Sequence, residues 1–248
     1  MALARLSTVL LLASPVACAL RDVPGPPGEE QVVVQGVLSA QASQQVLWIE
    51  RTIPAGEQVS YGVRPLSPPP TRVEVRDSTG VIFRFQPDSA NPARFLAAFR
   101  PTPGWPYDLL IEAGGHTLSA STRVPSTITI VDPATDTVTV FFRPATLRLA
   151  WSGPIRPVRV AYADTAGRAA YSSPVWATTD TAIALADFPS VPTMQVWVVS
   201  VDSVTARVGD PFVFSLDPSL FDQMRGNVTG GAGFFGAATA DHIVVRLQ

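Results

Sequence analysis

The sequence predicts an all-β chain of two tandem antiparallel sandwiches with one short helix near the C-terminal end. Three observations predict it. Short runs rich in Val, Ile, Thr, Phe and Trp alternate apolar with polar residues, the period of a half-buried strand. The 248 residues include 24 Pro and 17 Gly, which punctuate the chain between those runs. No amphipathic run at helical spacing exceeds about three turns.

Residues 1–19 read as an export signal. Arg5 precedes the apolar run 6–14, which is far short of the about 20 residues needed to span a bilayer. Small residues Ala17, Cys18 and Ala19 follow. Two cleavage readings are open. A lipoprotein signal makes Cys18 the lipidated first residue of the mature chain, with Ala17 and Val16 before it and Pro15 where Leu is usual. Ordinary cleavage after Ala19 satisfies the A-x-A pattern and discards the cysteine. Cys18 is the only cysteine, so it has no partner for a disulfide within the chain. Residues 20–30 are rich in Pro and Gly, the composition of a spacer. Both points favour the lipid anchor.

The first sandwich is expected over 31–124. Residues 31–38 and 45–50 are its opening strands. Pro65, Pro68, Pro69 and Pro70 keep the following stretch out of a central sheet. In 72–76, Val73 and Val75 point inward and the charges outward. The turn at 77–80 returns the chain as strand 81–85. Strands at 94–99, 107–112 and 116–122 complete the set.

The second sandwich is expected over 125–248. Residues 127–130 and 137–141 alternate cleanly. Leu147, Leu149 and Trp151 share one face. Strands follow at 157–162, 181–185 and 195–201. Asp217 as N-cap, Pro218 in the first turn and Gly226 as C-cap predict a helix over 219–225. A glycine-rich loop over 227–236 then leads to a last strand at 241–247.

The order Leu-x-Leu-x-Trp at 147–151, Val-x-Val-x-Tyr at 158–162 and the later strand at 195–201 resembles a fibronectin type III sandwich, within the immunoglobulin-like group of folds.

Charge and motifs narrow the chemistry. Every basic residue is Arg, scattered singly, and the net charge is −2, so no basic footprint for nucleic acid exists. Without Lys, a P-loop, a Schiff base or a Ser-x-x-Lys nucleophile is excluded. Residues 231–236 match G-x-G-x-x-G by letter, but a dinucleotide site needs a strand before and a helix after, and here the order is reversed. The tail glycines instead let Phe234 and Phe235 fill an apolar gap. His116 and His242 lack metal-ligand spacing. Asp132 and Asp136 flank a turn without the acidic loop of a calcium site. Asp77, Asp88 and Asp164 fit turn chemistry. No catalytic residue, metal or cofactor is assigned, and the chain reads as a non-enzyme. Asn227-Val228-Thr229 is a formal glycosylation sequon.

The tryptophans divide into two sets. Trp48, Trp151 and Trp197 lie within strand patterns and are expected in the cores. Trp105 and Trp176 lie beside prolines in loops, where an exposed indole can stack on a sugar or anchor a protein partner.

Several segments together resemble the bacterial lipoprotein family known as domain of unknown function 4249. They are the lipoprotein-type signal and linker, the strand at 31–38, the hairpin 73–80 and the segment Pro103-Gly104-Trp105-Pro106-Tyr107-Asp108-Leu109-Leu110-Ile111. The tail carries Asn227, Gly231, Gly233, Phe234, Phe235 and Gly236 in an Asn-x-x-x-Gly-x-Gly-x-Phe-Gly-Ala pattern. The resemblance implies an envelope lipoprotein, in some members associated with TonB-dependent receptor systems, and no catalytic residues. The expected location is the bacterial cell envelope, anchored to the outer membrane through Cys18. The expected partners are that membrane, an outer-membrane receptor and a glycan.

Overall fold

The computed structural model describes residues 30–52, 64–141, 147–153, 158–163, 176–178, 181–185, 192–208 and 226–248. The export signal and the expected helix at 219–225 lie outside the described residues.

The first half of the chain forms β1 (Val32–Ser39), β2 (Gln45–Arg51), β3 (Arg72–Asp77), β4 (Ile82–Arg84), β5 (Gln86–Asp88), β6 (Asn91–Ala97), β7 (Pro106–Ala113) and β8 (His116–Arg123). They pair as β1-β2-β6-β5 in one sheet and β4-β3-β7-β8 in the other. That is the A-B-E-D against C′-C-F-G arrangement of an immunoglobulin-type sandwich. The expected strand at 81–85 proves to be a crossing point. β4 stays with β3, Phe85 turns inward with its N–H on the Val73 carbonyl, and β5 joins the opposite sheet. Alternation places Val34, Leu38, Leu47, Ile49, Val73 and Val75 in the core. Burying each such side chain contributes roughly 1.5–3 kcal/mol. Two buried polar residues lock the turns. The Gln45 amide donates to the carbonyls of Ser39, Ala42 and Phe99, fixing the bend between β1 and β2. The Tyr107 hydroxyl accepts the Thr102 N–H at 2.8 Å, pinning the corner before β7.

The second sandwich comprises β9 (Thr129–Asp132), β10 (Thr137–Val140), β11 (Leu147–Ser152), β12 (Val158–Ala163), β13 (Trp176–Thr178), β14 (Ala182–Leu185), β15 (Thr193–Val201), α1 (Ser203–Val208) and β16 (Ala232–Leu247). β14-β11-β9 faces β13-β12-β15-β16, with β10 parallel on the far side of β16. Trp151, Leu149, Val160, Val196, Val198 and Val245 fill this core.

The first core runs to Val124 and the second begins at Ile128, but Phe235 and Ala237 from the tail belong to the first. The reason is β16, which extends well beyond the expected 241–247. Its first half runs parallel to β1, from Val33 beside Ala232 to Ser39 beside Ala238. Its second half runs antiparallel to β15. One strand of 16 residues, roughly 50 Å long, therefore belongs to both sandwiches and makes their sheets continuous.

Two of the three expected core tryptophans are not core. Trp151 is buried, but Trp48 and Trp197 are only half-buried. Leu47 and Ile49 take the inward phase of β2, and Val196 and Val198 that of β15, so the indoles point outward. Trp197 stacks on His242 of β16 at 4.3 Å and donates to Gln195.

The turn between β3 and β4 is organised by Asp77. Burial opposes its charge, but the Thr79 hydroxyl and the N–H groups of Thr79, Val81 and Gly80 outweigh it and hold the carboxyl below its ordinary 3.8. A carboxyl depressed on folding stabilises the fold above its unfolded pKa and loses that contribution as pH falls through the folded value. Hydrogen exchange at the Val81 amide, corrected for intrinsic rate, is therefore expected to lose protection as pH drops below 3.8. Asp77→Asn should remove that step, and an identical acid profile in both proteins would refute the assignment.

Candidate functional site

Trp105 and Trp176 lie on different sandwiches. Trp105 ends the turn before β7, with its N–H on Thr102 and its carbonyl accepting from Val124. It is 37% exposed on the first sandwich. Trp176 opens β13, an edge strand of the second, rather than lying in a loop; its side chain is outside the described residues. Cys18 also lies outside them.

The tail residues build a seam. Asn227 donates from its amide to the carbonyls of Ser121 and Phe235 and accepts the Phe235 N–H. Thr229 bridges to Ser119 of β8, and β16 then lies along β1. The open side of the first sandwich, between β1 and β8, is thereby closed. Gly231 and Gly233 cross the chain so closely that a Cβ would lie 2.6 Å from the Val32 carbonyl oxygen and 1.9 Å from that of Val34. Phe235 is fully buried, whereas Phe234 faces the other way and is half-buried. Gly236 faces α1 at Thr205. This explains why a glycine-rich stretch is strand here. Gly231 and Gly233 are where backbone meets backbone, and Gly236 is where the Thr205 and Asp202 side chains approach.

The residues with the most chemistry are on the outer face of the β4-β3-β7-β8 sheet. Cross-strand pairing sets three rows: Arg72 beside Glu112, Arg84 and Leu110 flanking Glu74, and Arg76 beside Asp108. Arg72 donates to Glu74 at 2.6 Å and to Glu112 at 3.1 Å. These two carboxylates, Glu74 foremost, raise the Arg72 pKa above its ordinary value. Glu74 is the exception to the outward pattern, with only 2% of its side chain exposed. Arg72 engages one of its oxygens, and the other, Oε2, is buried without a hydrogen-bond partner.

Two hollows flank the Arg72–Glu74 pair. One, of about 490 Å³, lies where the chain passes from β4 to β5; buried Val73, Phe85 and Phe95 and the more exposed Arg72, Arg84 and Glu112 line it. The other, of about 240 Å³, is lined by Glu74, Arg76, Asp108, Leu110 and Ser119. Asp108 Oδ1 already accepts the Ser121 hydroxyl at 2.6 Å. Reading the sequence missed this site, because Arg72, Glu74 and Arg76 look like the solvated phase of a strand. The available signal was an unbroken acid–base alternation beside another pair of acids, Asp108 and Glu112. Among the described residues, no group of three or more His, Cys, Asp or Glu is placed to hold a metal ion, and no helix is long and apolar enough to cross a membrane.

Fold and site together define an immunoglobulin-type tandem β-sandwich protein with a shared strand and a polar sheet face. A family profile described as "Domain of unknown function (DUF4249)" matches residues 22–171, more than half of the chain. The protein belongs to this family. No curated protein matches it. Among solved structures, a two-fibronectin type-III domain segment from chicken tenascin is similar at 13% identity and a TM-score of 0.25, over 89% of this chain and 98% of that one. A structure described as "Structural basis for Dscam isoform specificity" is similar at 11% identity and a TM-score of 0.22, over 91% of this chain and 47% of that one.

Proposed function

We propose that this is a bacterial envelope lipoprotein acting as a non-catalytic binding or accessory module, held at the outer membrane by lipid on Cys18 and serving a TonB-dependent receptor system. One arrangement carries the anchor reading: the only cysteine of the chain stands between an apolar export run and a Pro/Gly-rich spacer, and β1 begins just beyond, at Val32. The shared β16 supports the module reading. It joins two sandwiches into one continuous sheet, a frame that presents loops and sheet faces. Cells given radiolabelled palmitate are expected to label the wild-type chain and not Cys18→Ala. An unmodified product beginning at Leu20, read by intact mass, would refute the anchor. Detergent extraction of the wild type should bring down a TonB-dependent receptor.

A second reading, carbohydrate binding, is favoured by the exposure of Trp105 on the same sandwich as the polar sheet face.

A further inference from the structure

We propose that the outer face of the β4-β3-β7-β8 sheet binds a neutral, polyhydroxylated ligand, a short oligosaccharide, with Glu74 as its central acceptor. The inference rests on reading the protein as a binding module, and it assigns that module's site and ligand class.

Glu74 Oε2 is the observation that points to a ligand. A buried carboxylate oxygen without a donor is costly, and native proteins rarely leave one so without a use. Glu74 lines the smaller hollow, and its Oε2, closed to solvent as the face stands, takes a ligand hydroxyl once the carboxylate turns outward. The remaining walls suit the same chemistry. Arg76 is a donor with no hydrogen-bond or ion-pair partner among the described residues. Asp108 is an acceptor beside it across the strands, Ser119 can donate or accept, and Leu110 supplies an apolar surface for the C–H face of a sugar ring.

Charge selects a neutral ligand. Arg72, Arg76 and Arg84 around the two hollows are balanced by Glu74, Asp108 and Glu112, while Arg123 at the end of β8 on the same face is turned to the Gly104 carbonyl. A cation would meet the guanidinium groups and an anion the carboxylates, whereas a hydroxyl donates to one kind and accepts from the other. The hollow of about 490 Å³ opens beside Arg72 at the edge of this face, where Val73, Phe85 and Phe95 of the core also line it, and offers room past a single ring. Its size lies within the roughly 300–1,000 Å³ of small-ligand sites.

The test is affinity electrophoresis of the full chain in mild detergent. Native gels would contain hydroxyethyl cellulose, laminarin, soluble starch, xylan or mannan, with polygalacturonate as an anionic comparison. Retardation is expected in at least one neutral gel. Glu74→Gln and Asp108→Asn should each weaken it about tenfold, equivalent to about 1.4 kcal/mol. Asp108 is exposed, so its variant keeps the test open should Glu74→Gln fold poorly. Near-ultraviolet circular dichroism reports folding for both. No retardation in any neutral gel, retardation by polygalacturonate alone, or retardation that survives both substitutions would overturn the proposal. Retardation lost in Trp105→Ala but kept in both site variants would move sugar binding to the indole and also overturn it. Palmitate labelling and receptor co-purification are independent of these substitutions, so failure of the ligand site is distinguishable from failure of the module reading.

Discussion

Gly233→Ala is expected to destabilise the protein by about 4 kcal/mol or more, the range reserved for substitutions that break packing outright. Gly233 sits at φ +99°, a conformation that L side chains rarely adopt, and a Cβ there would lie 1.9 Å from the Val34 carbonyl oxygen and 2.8 Å from the Val34 backbone nitrogen and carbonyl carbon. All three atoms belong to β1, and none is the movable end of a side chain. Relief requires β16 to leave β1. That withdraws Phe235 and Ala237 from the first core and opens the seam toward β8. Gly80→Ala is the control. Gly80 has φ +90° but nothing within 4 Å of its Cβ position, so it isolates the conformational cost, about 1–2 kcal/mol. Urea unfolding midpoints of the two variants would check this. Equal shifts would mean that the close approach to Val34 contributes nothing.

That seam marks where sequence reasoning stops. Alternation located the local strands well. Val73 and Val75, or Leu147, Leu149 and Trp151, occupy the inward phase because a period of two leaves no other solution once one face is buried. The pairing of β16 with β1 joins residues about two hundred positions apart in parallel register, and no local pattern encodes that. Gly233 and Gly236 disfavour a strand on propensity alone. They fit β16 only once the approach of the Val34 backbone to the first and of the Thr205 and Asp202 side chains to the second is known. Trp48 and Trp197 are a different case. Lying within a strand pattern does not place a side chain in the core, and the alternation itself excludes these two, since Leu47, Ile49, Val196 and Val198 hold the inward phase. The helix α1 is six residues long, too short to show a period, and its N-cap Asp202 could be recognised only by the groups it receives. Glu74 was hidden for a related reason. Phase predicts which way a side chain leaves the sheet, but not that Glu74 will be buried there and bonded to an arginine of its own strand.

Asp202 carries the second large effect. The residue is 3% exposed and ties three elements, two through its carboxyl and one through its backbone N–H. Oδ1 accepts the Thr205 N–H at 2.8 Å, capping α1. Oδ2 accepts the Thr122 hydroxyl at 2.7 Å, reaching β8 of the first sandwich. Its own N–H donates to the Ala237 carbonyl at 2.9 Å, extending the pairing just past β15. Asp202→Ala removes a cap worth about 1 kcal/mol. It also leaves the Thr122 hydroxyl buried without its acceptor, which costs a further 1–3 kcal/mol, roughly. The expected loss is about 3 kcal/mol. Asp202→Asn should cost less. An amide oxygen still caps Thr205, and the Thr122 hydroxyl can rotate to accept from the amide nitrogen. Thr122→Val has nearly the same shape and removes the other end of the bond. In a double-mutant cycle read by urea unfolding, Asp202→Ala and Thr122→Val should couple by about 1 kcal/mol, because the second substitution has no bond left to break. Additivity within about 0.3 kcal/mol would show that the two sandwiches are not joined through this contact. The continuity of β16 would then be the connection between them that the Gly233 variant probes alone.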